Sequence, residues 1–142
     1  MPVVSRLVLW WLSWGLLLAC GSTPAAPGDG VQDSTVVLSW KRDGGFAGFC
    51  DELKITASGD VTASTCRTPG VKARTLPTNE LTRLNEWRRA FGPVSITSRD
   101  DAPADAMTLT LTLSGTGDGQ PSEAQRLELL DWAQRIYTET SN

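Results

Sequence analysis

The sequence predicts an α+β domain: a small antiparallel sheet in the order β-β-β-α-β-α, two helices packed on one face, and one disulfide. Three observations lead there. Short alternating segments are joined by local turns, which favours antiparallel hairpins over long crossovers. The strands are apolar on one side only, most plainly in "MTLTLTLS", as in a sheet with one face on a core and the other in water. Two amphipathic stretches can supply helices to cover the apolar side.

The first strand is "TVVLSWK", where Val36, Leu38 and Trp40 alternate with Val37, Ser39 and Lys41. "RDGG" interrupts it, and Gly44 and Gly45 suit a turn with positive φ. A second strand runs from about Asp51 to Thr56, and a third returns from Val61 to Arg67. If Ala57-Ser58-Gly59 is a three-residue loop with Gly59 left-handed, Thr56 faces Asp60 and Cys50 falls opposite Cys66. A loop one residue longer would put Asp51 opposite Cys66 instead. In the first register Leu53 and Ala63, and Ile55 and Val61, share the core face. "TPGVKARTLP", Thr68 to Pro77, reads as a connector.

A helix follows from about Thr78 to Phe91, with Leu81, Leu84, Trp87 and Phe91 in one stripe and Gly92-Pro93 as its stop. Arg83, Arg88 and Arg89 lie largely off that stripe and read as a solvated face rather than a binding patch. "VSIT", Val94 to Thr97, is a candidate extra short strand. In "RDDAPADA", Asp100, Asp101 and Asp105 have the wrong spacing for a calcium loop, and Pro103 intervenes. Next, Met107, Leu109, Leu111 and Leu113 alternate with Thr108, Thr110, Thr112 and Ser114 in one strand. "GTGDGQP" lacks the spacing of a phosphate-binding loop and reads as a flexible connector. Ser122 and Gln125 form a capping box for the last helix, which carries Leu129, Leu130, Trp132, Ala133, Ile136 and Tyr137 on a broad apolar face.

Ahead of this domain, residues 1–19 read as a signal peptide. Arg6 precedes an apolar run from Leu7 to Ala19, too short for a spanning helix. "LLAC", Leu17 to Cys20, resembles the bacterial lipobox. That resemblance implies cleavage before Cys20, a diacylglyceryl group on its sulfur with palmitate-type chains, and attachment to a lipid bilayer. Several acyl chains anchor a protein stably where one is marginal. Gly21 is not the aspartate associated with inner-membrane retention, which points to the outer membrane if the envelope has two. Residues 20–34 form the lipidated cysteine and a Gly-, Pro- and Ala-rich flexible linker, and 35–142 the α+β domain.

With Cys20 acylated, Cys50 and Cys66 remain, an even pair that reads as one disulfide in an exported chain. It would contribute about 3 kcal/mol by restricting the unfolded chain. The chain has no histidine, so His-dependent triads and histidine metal sites are excluded. There is no G-x-S-x-G, and the pairs Asp51-Glu52 and Asp100-Asp101 are sequential, so in a strand they point to opposite faces. Without Arg6, 12 of the 13 basic residues stand against 16 acidic ones, a net charge of −4 with no basic patch, which argues against nucleic acid. The expected class is a binding or structural protein, not an enzyme, with no cofactor and no metal.

Several of these segments resemble the emfourin family of small bacterial inhibitors of protealysin and related thermolysin-like zinc metallopeptidases. The resemblance rests on "RDGGFAG" (Arg42 to Gly48), "LPTNELTRL" (Leu76 to Leu84), the "TLTLTLSG" strand (Thr108 to Gly115) and "LELLDW" (Leu127 to Trp132). It implies inhibition of a secreted or periplasmic metallopeptidase. The lipid anchor and the cysteine pair depart from the short soluble pattern of that family. A structural or assembly role in the envelope, without inhibition, is the alternative. The candidate partner-binding residues, on physical grounds, are Gly44, Gly45, Phe46 and Phe49, because aromatic anchors on a braced turn favour tight recognition. At least one of the two rings is expected under the turn, against Trp40 and the helices.

Overall fold

A computed structural model describes residues 34–99 and 106–142. The predicted signal peptide, the lipidated Cys20, the linker as far as residue 33 and the loop aspartates Asp100, Asp101 and Asp105 lie outside the described residues.

The elements are β1 (Val36–Gly44), β2 (Phe49–Thr56), β3 (Asp60–Thr65), β4 (Thr68–Thr75), α1 (Thr78–Ala90), β5 (Val94–Arg99), β6 (Met107–Leu113) and α2 (Glu123–Ser141). The six strands form one antiparallel sheet in the order β4-β3-β2-β1-β6-β5. The α+β class therefore holds, but the strand count differs from the predicted order. "VSIT" extends into β5, and the expected connector at Thr68 is the edge strand β4.

The physical reason for that miss is exposure. All residues of β4 except the half-buried Arg74 are exposed, so no alternation marks it. Pairing with β3 makes it a strand. Pro69 and Lys72 on an edge discourage pairing with further chains. On its helix side, Arg74 donates from Nε to Thr140 Oγ1 at 2.8 Å and pairs with Glu139 at 2.9 Å, tying β4 to α2.

The core follows the alternation closely. Leu38, Trp40, Leu53, Ile55, Val61, Ala63, Ile96, Leu111 and Leu113 are buried with Leu84, Trp87, Leu129, Trp132, Ala133, Ile136 and Tyr137 in one cluster. In β1 Val37 is buried along with Leu38 and Trp40, while Val36 is 43% exposed, and the register with β2 shifts between Val36 and Leu38. Trp87 meets Trp132 edge to face at 5.3 Å, which joins α1 to α2. Glu80 strengthens that junction by accepting from Trp132 Nε1 at 2.5 Å and Arg135 at 3.0 Å. The predicted capping box at Ser122 and Gln125 is present.

The α1 arginines do more than face water. Arg83 pairs with Glu128 of α2 and covers the Trp87 ring. Arg88 hydrogen-bonds Asn85 at 3.2 Å and reaches the Ser114 carbonyl at 3.4 Å.

The segment expected to be a flexible connector is fastened to the end of α1. Thr116 N–H donates to Arg88 O at 2.6 Å, Gly117 N–H to Phe91 O at 2.9 Å, and Gly119 N–H to Ala90 O at 3.1 Å. The glycines permit this approach: a Cβ on Gly115 would lie 2.1 Å from Phe91 O, and one on Gly117 2.3 Å from Arg89 O. Gly-rich composition here serves close backbone contact that satisfies helix-end carbonyls, not freedom of movement.

Candidate functional site

The β2–β3 hairpin has the first of the two registers considered: Leu53 pairs with Ala63, Ile55 with Val61 and Asp51 with Thr65. Gly59 has φ +91°. One step beyond Asp51 and Thr65, Cys50 and Cys66 form the disulfide, with Cα atoms 5.7 Å apart. Residues paired across an antiparallel ladder share a face, so Cys50 lies with Glu52 and Lys54 on the polar face, away from the helices.

At the same end of the sheet, β1 and β2 are joined by a turn over Gly45–Gly48, closed by the pair Gly44 and Phe49. Gly44, Gly45 and Gly48 all have positive φ, at +92°, +72° and +60°. Thus Gly44 ends the strand, Gly45 opens the turn, and Gly48 is a third glycine the backbone requires. Gly48 N–H donates to Gly45 O at 2.8 Å, and Gly45 N–H to Ala106 O, just ahead of β6, at 3.1 Å. A Cβ on Gly44 would stand 2.6 Å from that same Ala106 oxygen, so only glycine admits the contact.

Phe46 sits at the tip of this turn and is 95% exposed. Phe49 is half-buried but lies outside the hydrophobic core. The expectation that one ring packs under the turn on Trp40 and the helices is therefore corrected. Two guanidiniums lie over the Phe49 ring, Arg42 at 4.0 Å and Arg67 at 4.5 Å from its centroid. Cations over an aromatic face are attracted by the ring quadrupole. Arg67 also donates to the carbonyl of Ala47, inside the turn.

Arg42 is itself held by Asp51, the residue it pairs with across the strands. Its Nε and terminal nitrogen donate to Asp51 Oδ2 at 2.9 and 2.5 Å. Asp51 is only 5% exposed. Burial pushes its carboxyl upward, but hydrogen bonds from Arg42, Tyr137 and Thr65 and the charge of Arg42 outweigh that, leaving it below the ordinary carboxylate range.

The turn is thus held on both faces. On one, the disulfide joins β2 to the turn after β3. On the other, Asp51, Arg42, Phe49 and Arg67 form a continuous stack. Sequence reading singled out the glycines, the phenylalanines and the cysteines but missed Arg42, Asp51 and Arg67. The closing pair Gly44 and Phe49 would have placed Arg42 opposite Asp51. No comparable signal exists for Arg67, whose position depends on β4.

Apart from this turn, a concavity of about 290 Å³ lies between the β3–β4 turn and the end of α2, lined by Thr65, Thr68, Val71, Lys72, Tyr137 and Ser141 among others. It offers hydroxyls and one cation. Among the described residues, no group of three or more His, Cys, Asp or Glu side chains is placed to hold a metal ion. Comparison with protein-family models, curated proteins and solved structures returned no match.

Proposed function

We propose that this chain is a membrane-anchored lipoprotein of the bacterial cell envelope that acts as a non-catalytic protein-binding module, with Phe46 as its principal contact. The observation that carries this reading is a large aromatic side chain, 95% exposed, on a turn braced from both faces. A preorganised turn loses little conformational freedom on binding, and aromatic anchors supply much of the energy at protein interfaces. The resemblance to the emfourin family makes a thermolysin-like metallopeptidase the target to test first. An apolar cleft in such an enzyme would receive Phe46.

The test is titration of the purified protein against thermolysin-like peptidases. Inhibition is expected at micromolar protein or below, and Phe46→Ala should weaken it about thirtyfold, the effect of a hot-spot aromatic. Because Phe46 makes little contact with the fold, stability should change by no more than about 0.5 kcal/mol. No inhibition with the domain intact would remove the peptidase as target. Capture of another envelope protein through Phe46 would then favour an assembly role.

Among the described residues no helix is long and apolar enough to cross a membrane. The anchor in this proposal is acylated Cys20. Cys20→Ser is expected to move the exported protein from the membrane to the soluble fraction; unchanged fractionation would defeat the lipoprotein reading.

A further inference from the structure

Two of the restraints on the Phe46 turn run through neighbouring residues, Cys66 and Arg67; the Gly45 hydrogen bond to Ala106 and the Arg42 contact on Phe49 are independent of them. Cys66 is bonded to Cys50, next to Phe49, and Arg67 reaches the turn itself at Ala47. The last rung of the β2–β3 ladder is Asp51 with Thr65. On the other side, Thr65 pairs with Thr68 and closes the Cys66–Arg67 turn onto β4, while the register shifts between Ser64 and Thr65, and Pro69 and Gly70 fall outside it. Beyond that last rung, the Cys50–Cys66 bond is the covalent tie that holds the Cys66–Arg67 turn against β2. Cys66 is exposed and Cys50 half-buried, so the bond is accessible to solvent.

We infer that the Cys50–Cys66 disulfide is a redox-controlled brace for the Phe46 turn: a dithiol reductant that opens it releases Arg67 from Ala47 and Phe49 and weakens partner binding through Phe46. The inference rests on the reading of Phe46 as the partner-facing residue. A thiolate of the reductant attacks the sulfur of Cys66, the Sγ–Sγ bond breaks, and Cys50 leaves as a thiolate and takes up a proton. The second thiol of the reductant resolves the mixed disulfide and frees Cys66. Two electrons and two protons pass to the cysteines, and the dithiol is oxidised to its disulfide. The core strands keep their ladders, because Leu53, Ile55, Val61 and Ala63 are buried away from the bond.

The brace can be read without any partner. The full chain is compared in two forms, one oxidised and one reduced with dithiothreitol, alkylated and desalted. Cleavage after Phe46 by chymotrypsin should be at least about tenfold faster in the reduced form, because local opening sets the rate at a restrained loop. Amides of Leu53 and Ile55 should stay protected from hydrogen exchange. Arg67→Ala, with the disulfide intact, should give the same faster cleavage. Equal cleavage in the oxidised and reduced forms would overturn the inference. So would loss of Leu53 and Ile55 protection on reduction, which would make the bond a staple of the whole fold. If the cleavage ratio holds but neither form captures a partner through Phe46, the brace stands and the binding reading fails.

Discussion

Asp51→Ala is expected to destabilise the fold by about 3–5 kcal/mol, because it strands the Arg42 guanidinium beside an apolar core. Asp51 is buried on the core face of β2, between Leu53 and the Phe49 stack, and both Arg42 contacts end on its carboxylate. Replacing both partners by apolar residues, Arg42→Met with Asp51→Leu, should recover most of the loss, since neither charge is then desolvated alone. Urea unfolding of the single and double variants measures this directly. A single-variant loss under 1 kcal/mol would show that water reaches the pair.

The same carboxyl gives a pH dependence with a definite sign. Asp51, Glu52 and Glu80 are each held below their ordinary values: burial raises them, and it is outweighed by hydrogen bonds and charge from Arg42, from Lys54 and Lys41, and from Trp132 and Arg135 respectively. Below about pH 4 the unfolded chain therefore binds more protons at these sites than the folded one, and stability falls as pH falls. Tyr137 runs the other way. Burial raises it, and hydrogen bonding to and charge from Asp51 raise it further. Its contribution is complete below about pH 10 and is lost as pH rises beyond that. Tyr137 is the only tyrosine in the chain, so tyrosinate absorbance reports it alone. In Asp51→Asn that titration should move to lower pH and the acid limb of stability should flatten. An unmoved tyrosinate curve would disconnect the two groups.

Trp40→Ala should also lose about 3–5 kcal/mol, through the cavity it leaves. Trp40 is fully buried on β1, between β2 and β6, with its ring 5.3 Å from that of Tyr137. Its indole N–H is also without a hydrogen-bond partner among the described residues. That desolvated donor offsets part of the packing gain. Both variants remove that donor, but Trp40→Phe keeps a ring and leaves a smaller cavity, so it should lose clearly less than Trp40→Ala. Circular dichroism during urea unfolding distinguishes them, provided the dependence on urea is unchanged. Equal losses would mean that a phenyl ring restores none of the packing the indole provides.

How much of this was legible beforehand differs from element to element. The β2–β3 hairpin has the register that a three-residue loop with Gly59 left-handed gives, one of the two considered, and the cysteine pairing could be read from the two cysteines left once Cys20 is set aside. β6 and both helices followed from the spacing of their apolar residues. At the glycine turn, the residues that form it could be read, but not which phenylalanine would be left outside, because a ring beneath two arginines has no signature in local sequence.

By itself, the sequence determined the α+β class, the one-sided sheet, the capped last helix and the Cys50–Cys66 bond. Each depends on residues within one hairpin or one helical face, where period and turn geometry act locally. The tertiary structure alone decided β4, the glycine clamp on α1 and the place of Arg67 on the stack of Asp51, Arg42 and Phe49. β4 is a strand because β3 offers it a ladder, and the glycines of residues 115–119 matter only because helix-end carbonyls lie against them. Arg67 reaches Phe49 and Ala47 only after the β3–β4 turn has been laid beside the first hairpin. The Arg67 contacts and the glycine clamp join separate turns and a helix end, and their energy exists only once the sheet has brought them together.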